Sequence, residues 1–213
     1  MKPVATGGRR CRVDSSWRWV SADAIQLAEA AGVSDRLSRI NPLCFREPLA
    51  PWVAARRARR PVRVASLLRA FHEVRAQHAF VVVEGIGGLA VPLTSRATIG
   101  HLAQQLALPV IIVARPGLGT LNHTLLTLAE AHRLRLRVIA IFLNPTEPGS
   151  RHPMARLAVR TNPSALRAWS RVPVYGPLDY LKGDAVGRVS RLKSAAWIVK
   201  GVGEEFLNTL MRA

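Results

Sequence analysis

Glu84-Gly85-Ile86-Gly87-Gly88 stands directly after an apolar run, Ala79 to Val83, and its residue types could do chemistry. An acid at the end of a buried strand suits a Mg²⁺ ion that carries nucleotide phosphates, and the glycines behind it let the backbone come close to a ligand. The same glutamate could instead cap the turn that follows. A second glycine loop, Arg115-Pro116-Gly117-Leu118-Gly119, feeds Thr120-Leu121-Asn122-His123-Thr124. Free N–H groups and the dipole at the amino end of a helix favour an anion there, although such loops recur throughout α/β folds. His123 reads equally as a structural hydrogen-bonder or a functional group. Asn144-Pro145 closes a third apolar run, where an amide could read the edge of a purine base or simply form a turn.

Chemistry at such positions requires strands whose carboxyl ends gather, since ligands of open α/β sheets collect there. Three β-branched runs supply them: Ala79–Gly85, Pro109–Ala114 and Arg137–Asn144. Each is nearly continuous rather than alternating, which predicts strands of a parallel sheet covered on both faces. Helical spacing is expected over Val62–Gln77, Thr98–Leu108 and Thr120–Leu136, and over Ala22–Ala31, where Ser21 is a ready N-cap and Gly32 a stop. Further on, the spacing predicts a helix over 155–169 interrupted at Pro163, a short strand at Pro173–Gly176 and a helix near Glu204–Met211. The alternation implies an α/β fold, a mostly parallel sheet flanked by helices with right-handed connections. No linker or repeat divides residues 1–213, so a single domain is expected. Lys2 to Gly7 reads as the end of a buried strand running into a loop, because Pro3 is extended and Gly7-Gly8 permits a sharp turn.

Composition excludes several classes. The chain is 49% hydrophobic, but its longest apolar stretch, Phe80 to Leu93, is broken by Glu84 and glycines and is too short to span a bilayer. No apolar stretch of signal-peptide length opens the chain, so a cytoplasmic location is the default. Cys11 and Cys44 have neither metal-ligand spacing nor a disulfide framework, and both read as reduced bystanders. The net charge of +18 comes from scattered arginines. The densest cluster, Arg56 to Arg63, has no interleaved aromatics to stack bases and no recognition module, which argues against nucleic acid as the partner.

Taken in register, KPVATG at Lys2, SADAIQLAEAAG at Ser21, NPLCFREPLAPWVAA at Asn41, VEGIGGLAVPL at Val83, LPVIIVARPGLGTLNHTLLTL at Leu108 and LN at Leu143 resemble dethiobiotin synthetase. That family closes the ureido ring in biotin synthesis with ATP, on a P-loop NTPase-like fold. The resemblance implies 7,8-diaminononanoate, CO₂ and ATP as substrates, ADP and phosphate as co-products, Mg²⁺ with the nucleotide, and a homodimer. It implies that Lys2 is the catalytic lysine holding the carbamate and the transferred phosphoryl group, and that Thr6 contacts the diamine. Asp23 and Glu84 fall at the family's magnesium-binding acids, with Gly85, Ile86 and Gly87 along the nucleotide. Gly119, Thr120, Leu121 and Asn122 match the segment whose backbone holds the substrate carboxylate, in this family for the partner subunit. Asn144 matches the base-reading asparagine, and Asp179, Tyr180 and Leu181 a second nucleotide-contacting loop.

Departures accompany the matches. No G-x-x-x-x-G-K-[ST] occurs in the sequence, so the family's first strand, phosphate loop and helix are missing from the expected pattern. The expectation is that Met1 is an internal methionine of a longer reading frame or that the gene has lost its 5′ end, and that the chain as it stands is inactive without that loop. Trp52 stands where a histidine is common in the family, and Pro145 where glycine or aspartate is more usual. Alternatives are a non-catalytic remnant that folds without turning over ATP, favoured by the absent loop and disfavoured by Lys2, Asp23 and Glu84, and a related P-loop amidoligase of cofactor synthesis.

Overall fold

The computed structural model describes residues 1–13, 15–149 and 152–180 and divides into two compact units, Met1–Leu106 and Ala107–Ala213. The helix expected near Glu204–Met211 and the site residue Leu181 lie outside the described residues.

The first unit runs β1 (Val4–Ala5), β2 (Arg9–Val13), β3 (Ser16–Val20), α1 (Ala22–Ala31), α2 (Leu37–Ile40), β4 (Leu43–Cys44), α3 (Pro51–Arg57), α4 (Val64–Arg75) and α5 (Ile99–Leu106). β1 pairs in parallel with β4, Val4 opposite Leu43 and Ala5 opposite Cys44, and Lys2 to Ala5 are all buried as the sequence predicts. Ser21 caps α1 as expected: its hydroxyl accepts the Asp23 N–H at 3.2 Å, and Gly32 closes the other end. β2 and β3 form an antiparallel hairpin that the sequence reading did not anticipate, with Arg10 opposite Trp19 and Arg12 opposite Trp17. The arginines and tryptophans of that hairpin engage each other and their neighbours, the Arg10 guanidinium lying over Trp17 and that of Arg46 over Trp19.

One expected strand does not form. Residues 79–85 are irregular, and Phe80 and Val82 are exposed rather than covered on both faces. The Met1 amine donates to the Val82 carbonyl and the Glu84 N–H donates to the Met1 carbonyl, a parallel rung between Met1 and Val83. A rung this short does not propagate a ladder, so apolar β-branched composition alone leaves the segment irregular.

The second unit runs β5 (Val110–Ala114), α6 (Thr120–Arg133), β6 (Val138–Leu143), α7 (Pro153–Ser170) and β7 (Val174–Tyr175), two successive β-α-β crossovers. They form a parallel sheet in the order β5-β6-β7. Ile112, Ile141, Leu143 and Val174 of its strands pack with Leu128 of α6 and Leu166 of α7. β6 is well covered, but β5 alternates, with Ile111 and Val113 exposed, so the expected burial on both faces holds for the central strand and not for the edge. The expected break at Pro163 is also absent, for α7 is continuous across it. Proline removes one N–H and crowds the carbonyl a turn earlier, a cost of about 3 kcal/mol in an exposed helix. Here Pro163 is buried alongside Asn162 and Leu166, and tertiary burial outweighs the local penalty. Among the described residues no helix is long and apolar enough to cross a membrane.

Candidate active site

Lys2 precedes β1, and the pairing of that strand carries its side chain into the protein, leaving the residue 4% exposed. Both of its backbone groups are held, the N–H by the Ile40 carbonyl at 2.8 Å and the carbonyl by Asn41 Nδ2 at 2.8 Å. A buried ammonium needs partners for all three N–H groups, or its desolvation goes uncompensated. Lys2 Nζ donates to Glu84 Oε1 at 2.5 Å and to the Gly85 carbonyl at 3.0 Å, and its charge is also paired with Asp23 Oδ2 at 3.1 Å. Residues far apart in sequence therefore converge on one atom. α1 delivers Asp23 in its first turn, where the Ser21 cap fixes the backbone, and the rung at Val83 delivers Glu84.

One positive charge between two carboxylates leaves the cluster net negative. The acids remain about half exposed, 57% for Asp23 and 49% for Glu84, so their other oxygens can still be reached from solvent. That donor set suits Mg²⁺, a hard cation commonly held by one or two carboxylates together with water and phosphate rather than by a closed protein cage. Among the described residues no group of three or more His, Cys, Asp or Glu side chains gathers as a metal centre. Thr6 follows β1, half-buried, at the start of the loop that Gly7 turns. Ile86 is half-buried and Gly87 is left-handed, with φ +65°, in the turn after Glu84. Cys44, opposite Ala5, is buried, and burial pushes its thiol up to about 11 against the pull of Arg60. Burial also lowers the pKa of the Met1 amine, with Glu84 opposing.

The second unit gathers the other expected residues at the carboxyl ends of its strands. The Asn144 N–H donates to the Ala114 carbonyl at 2.8 Å, which sets the end of β6 beside the end of β5. The Leu178 N–H donates to the Leu143 carbonyl at 2.8 Å, so the loop carrying Asp179 and Tyr180 is tied next to Asn144. Asn144, Asp179 and Tyr180 are all exposed there. Gly119 is the N-cap of α6 and has φ +87°, a conformation that favours glycine. Thr120 is buried with its hydroxyl 3.3 Å from that of Thr124, Leu121 packs on the core, and Asn122 is exposed.

Two residues that sequence reasoning missed hold these parts in place. Asn41 braces the Lys2 backbone, and Asn162 of α7 donates to the carbonyls of Pro116 and Gly117 in the loop before α6. Each is a buried asparagine followed by proline in an otherwise apolar or helical pattern, and a polar residue so placed has to bond inward.

Comparison with known proteins shows the family. A family model described as an AAA domain matches residues 1–183. The ATP-dependent dethiobiotin synthetase BioD of Anaeromyxobacter dehalogenans (strain 2CP-C) is 46% identical over 155 residues, 70% of this chain and 69% of that protein. The proteins of the same name from Aromatoleum aromaticum and Bacillus cereus (strain G9842) are 35% identical over 186 residues and 36% over 185. Those matches cover 86% and 87% of this chain, and 77% and 74% of the relatives. At these identities and coverages, the chain belongs to the ATP-dependent dethiobiotin synthetase family.

Proposed function

We propose that the protein forms dethiobiotin from 7,8-diaminononanoate and CO₂, consuming ATP and releasing ADP and phosphate. The observation that carries this reading is the convergence of Asp23 and Glu84 on Lys2 Nζ, a cation set between two acids at a strand start. In the reaction one amine of the substrate takes up CO₂ as a carbamate, ATP phosphorylates a carbamate oxygen, and the second amine attacks the carbonyl carbon and expels phosphate to close the ring. Lys2 Nζ is the group that holds the carbamate and the transferred phosphoryl oxygens, giving hydrogen bonds where negative charge accumulates. Its bonds to Glu84 and the Gly85 carbonyl fix where the ammonium stands, and the third N–H is the one it can turn to the substrate.

Asp23 and Glu84 are the residues that would hold Mg²⁺, and the ion when bound supplies charge neutralisation to the nucleotide phosphates. Gly85, Ile86 and Gly87 let the backbone follow the nucleotide. Thr6 offers its hydroxyl to the diamine. Asn144 reads the purine edge with its amide, and Asp179, Tyr180 and Leu181 line the nucleotide beside it. The backbone of Gly119, Thr120, Leu121 and Asn122 takes the substrate carboxylate of a partner subunit, which makes the working form a homodimer. Ring closure is intramolecular, so holding both ends of the substrate supplies much of the catalysis. The reading places this work in the cytoplasm as a single domain.

The test is dethiobiotin formation from 7,8-diaminononanoate, bicarbonate and ATP by the full-length protein, titrated with Mg²⁺. Asp23→Asn and Glu84→Gln should each raise the Mg²⁺ concentration for half-maximal rate about tenfold or more, the scale of losing one charged oxygen contact. Rates with unchanged Mg²⁺ dependence in both variants would remove the two acids from the site.

A further inference from the structure

Asn162 is 8% exposed, and its Nδ2 spends both hydrogens on one turn, reaching the Pro116 carbonyl at 2.9 Å and the Gly117 carbonyl at 3.0 Å. The Gly117 carbonyl also accepts the Thr120 N–H at 3.2 Å, which links the turn to the first residue of α6. A trans peptide points its N–H opposite to its carbonyl. Fixing the carbonyls of Pro116 and Gly117 towards α7 therefore fixes the N–H groups of Gly117 and Leu118 in the opposite sense. These lie immediately before Gly119, whose left-handed backbone leads into the amino end of α6. The orientation of this run of donors is decided by a side chain 46 residues away from Pro116.

We infer that Asn162 is a positioning residue for anion recognition: by clamping the 116–117 turn it aligns the backbone N–H groups of Gly117, Leu118 and Gly119, ahead of the amino end of α6, on the substrate carboxylate, without touching substrate itself. This rests on the reading above that the α6 amino end holds the carboxylate. A buried asparagine is a fitting clamp because its two N–H hydrogens can serve two adjacent carbonyls, which no apolar residue and no hydroxyl can do.

The experiment is calorimetric binding of 7,8-diaminononanoate and of 2,3-diaminononane, the same diamine with a methyl group in place of the carboxylate, to the full-length protein and its variants. The wild type should prefer the acid. Asn162→Ala should reduce that preference about tenfold while leaving affinity for the diamine within a factor of two, and Asn162→Ser, with one donor, should fall between. A lowered melting temperature with an unchanged preference would make Asn162 a purely structural residue and overturn the inference. If Asn162→Ala fails to fold, the preference of Asn162→Ser decides by the same criterion, and failure of both to fold also overturns it. Gly119→Ala separates the two levels: if that change within the segment leaves the preference intact, the carboxylate is held elsewhere and the underlying reading falls, whereas a preference sensitive to Gly119 but not to Asn162 rejects Asn162 alone.

Discussion

Lys2 carries one positive charge between two half-exposed carboxylates, and that imbalance sets how the position responds to substitution. In Lys2→Met the acids lose their counter-charge but can turn towards water, so the expected stability loss is about 1 kcal/mol, as for exposed ion pairs. Catalysis has no such escape. Loss of a donor aimed at developing charge commonly lowers kcat by about a hundredfold or more. Steady-state kinetics beside thermal melts check this, and activity falling only in step with the melting temperature would mean that the lysine is a structural pillar. Cys44 makes a second, independent residue-scale prediction. Its thiol moves from an ordinary 9.0 to about 11, so between those values the folded chain binds more protons than the unfolded one. Stability then falls as pH rises from about 9 and levels off above about 11, a loss of roughly 2–3 kcal/mol. Denaturant melts across that range should show the decline in the wild type and a flatter profile in Cys44→Ala. At this scale the sequence was partly legible. Glu84 announces itself by standing between an apolar run and glycines, whereas Lys2 reads only as part of a buried strand end and Asp23 as a helix residue, and the chemical role of both comes from the family resemblance alone. Their roles depend on contacts across 21 and 82 positions, which no local pattern encodes.

Helices with their own start and stop signals were readable because their boundaries are chemical as well as periodic. Ser21 and Gly32 bracket α1 as expected, and Gly119 opens α6. Elements decided by partners were not. Residues 79–85 have strand composition and one rung, and Pro163 has breaker chemistry inside a helix that its burial sustains. The β2–β3 hairpin turns at Ser15, whose φ is +65°, and its polar, arginine-rich strands lack the apolar runs that mark the other strands. An element-scale prediction follows from the loop before α6. In Gly119→Ala the left-handed backbone must accommodate a Cβ, at a cost of roughly 1–2 kcal/mol. Nearby atoms leave space for the methyl group, the nearest being His123 Cε1 at 3.6 Å, so the penalty is conformational rather than steric. Chemical denaturation should register that loss with an unchanged denaturant slope. A change in slope would instead indicate altered compactness.

Across the whole molecule, a high positive charge has to coexist with self-association if the carboxylate segment serves a partner subunit. The second unit offers a surface for it. Leu118 is 94% exposed in the loop before α6, and within the helix Leu126 is exposed one turn beyond Asn122, on the same side. Met154, Leu157 and Trp169 are exposed on α7. Exposed apolar side chains on α6 and α7 are what a second copy would cover, and covering those on α6 would bring Asn122 to that copy. Two chains of +18 also repel each other, and the repulsion is screened over about 10 Å at 0.1 M salt. Dimerisation driven by apolar burial should therefore strengthen as NaCl rises from low to physiological concentration, and Leu126→Glu should weaken it about tenfold or more while leaving the monomer's melting behaviour near wild type. Sedimentation equilibrium over a salt series reads both effects. Association that weakens with added salt would point to an ionic contact, and a monomer that still turns over at working concentration would separate catalysis from the dimer altogether.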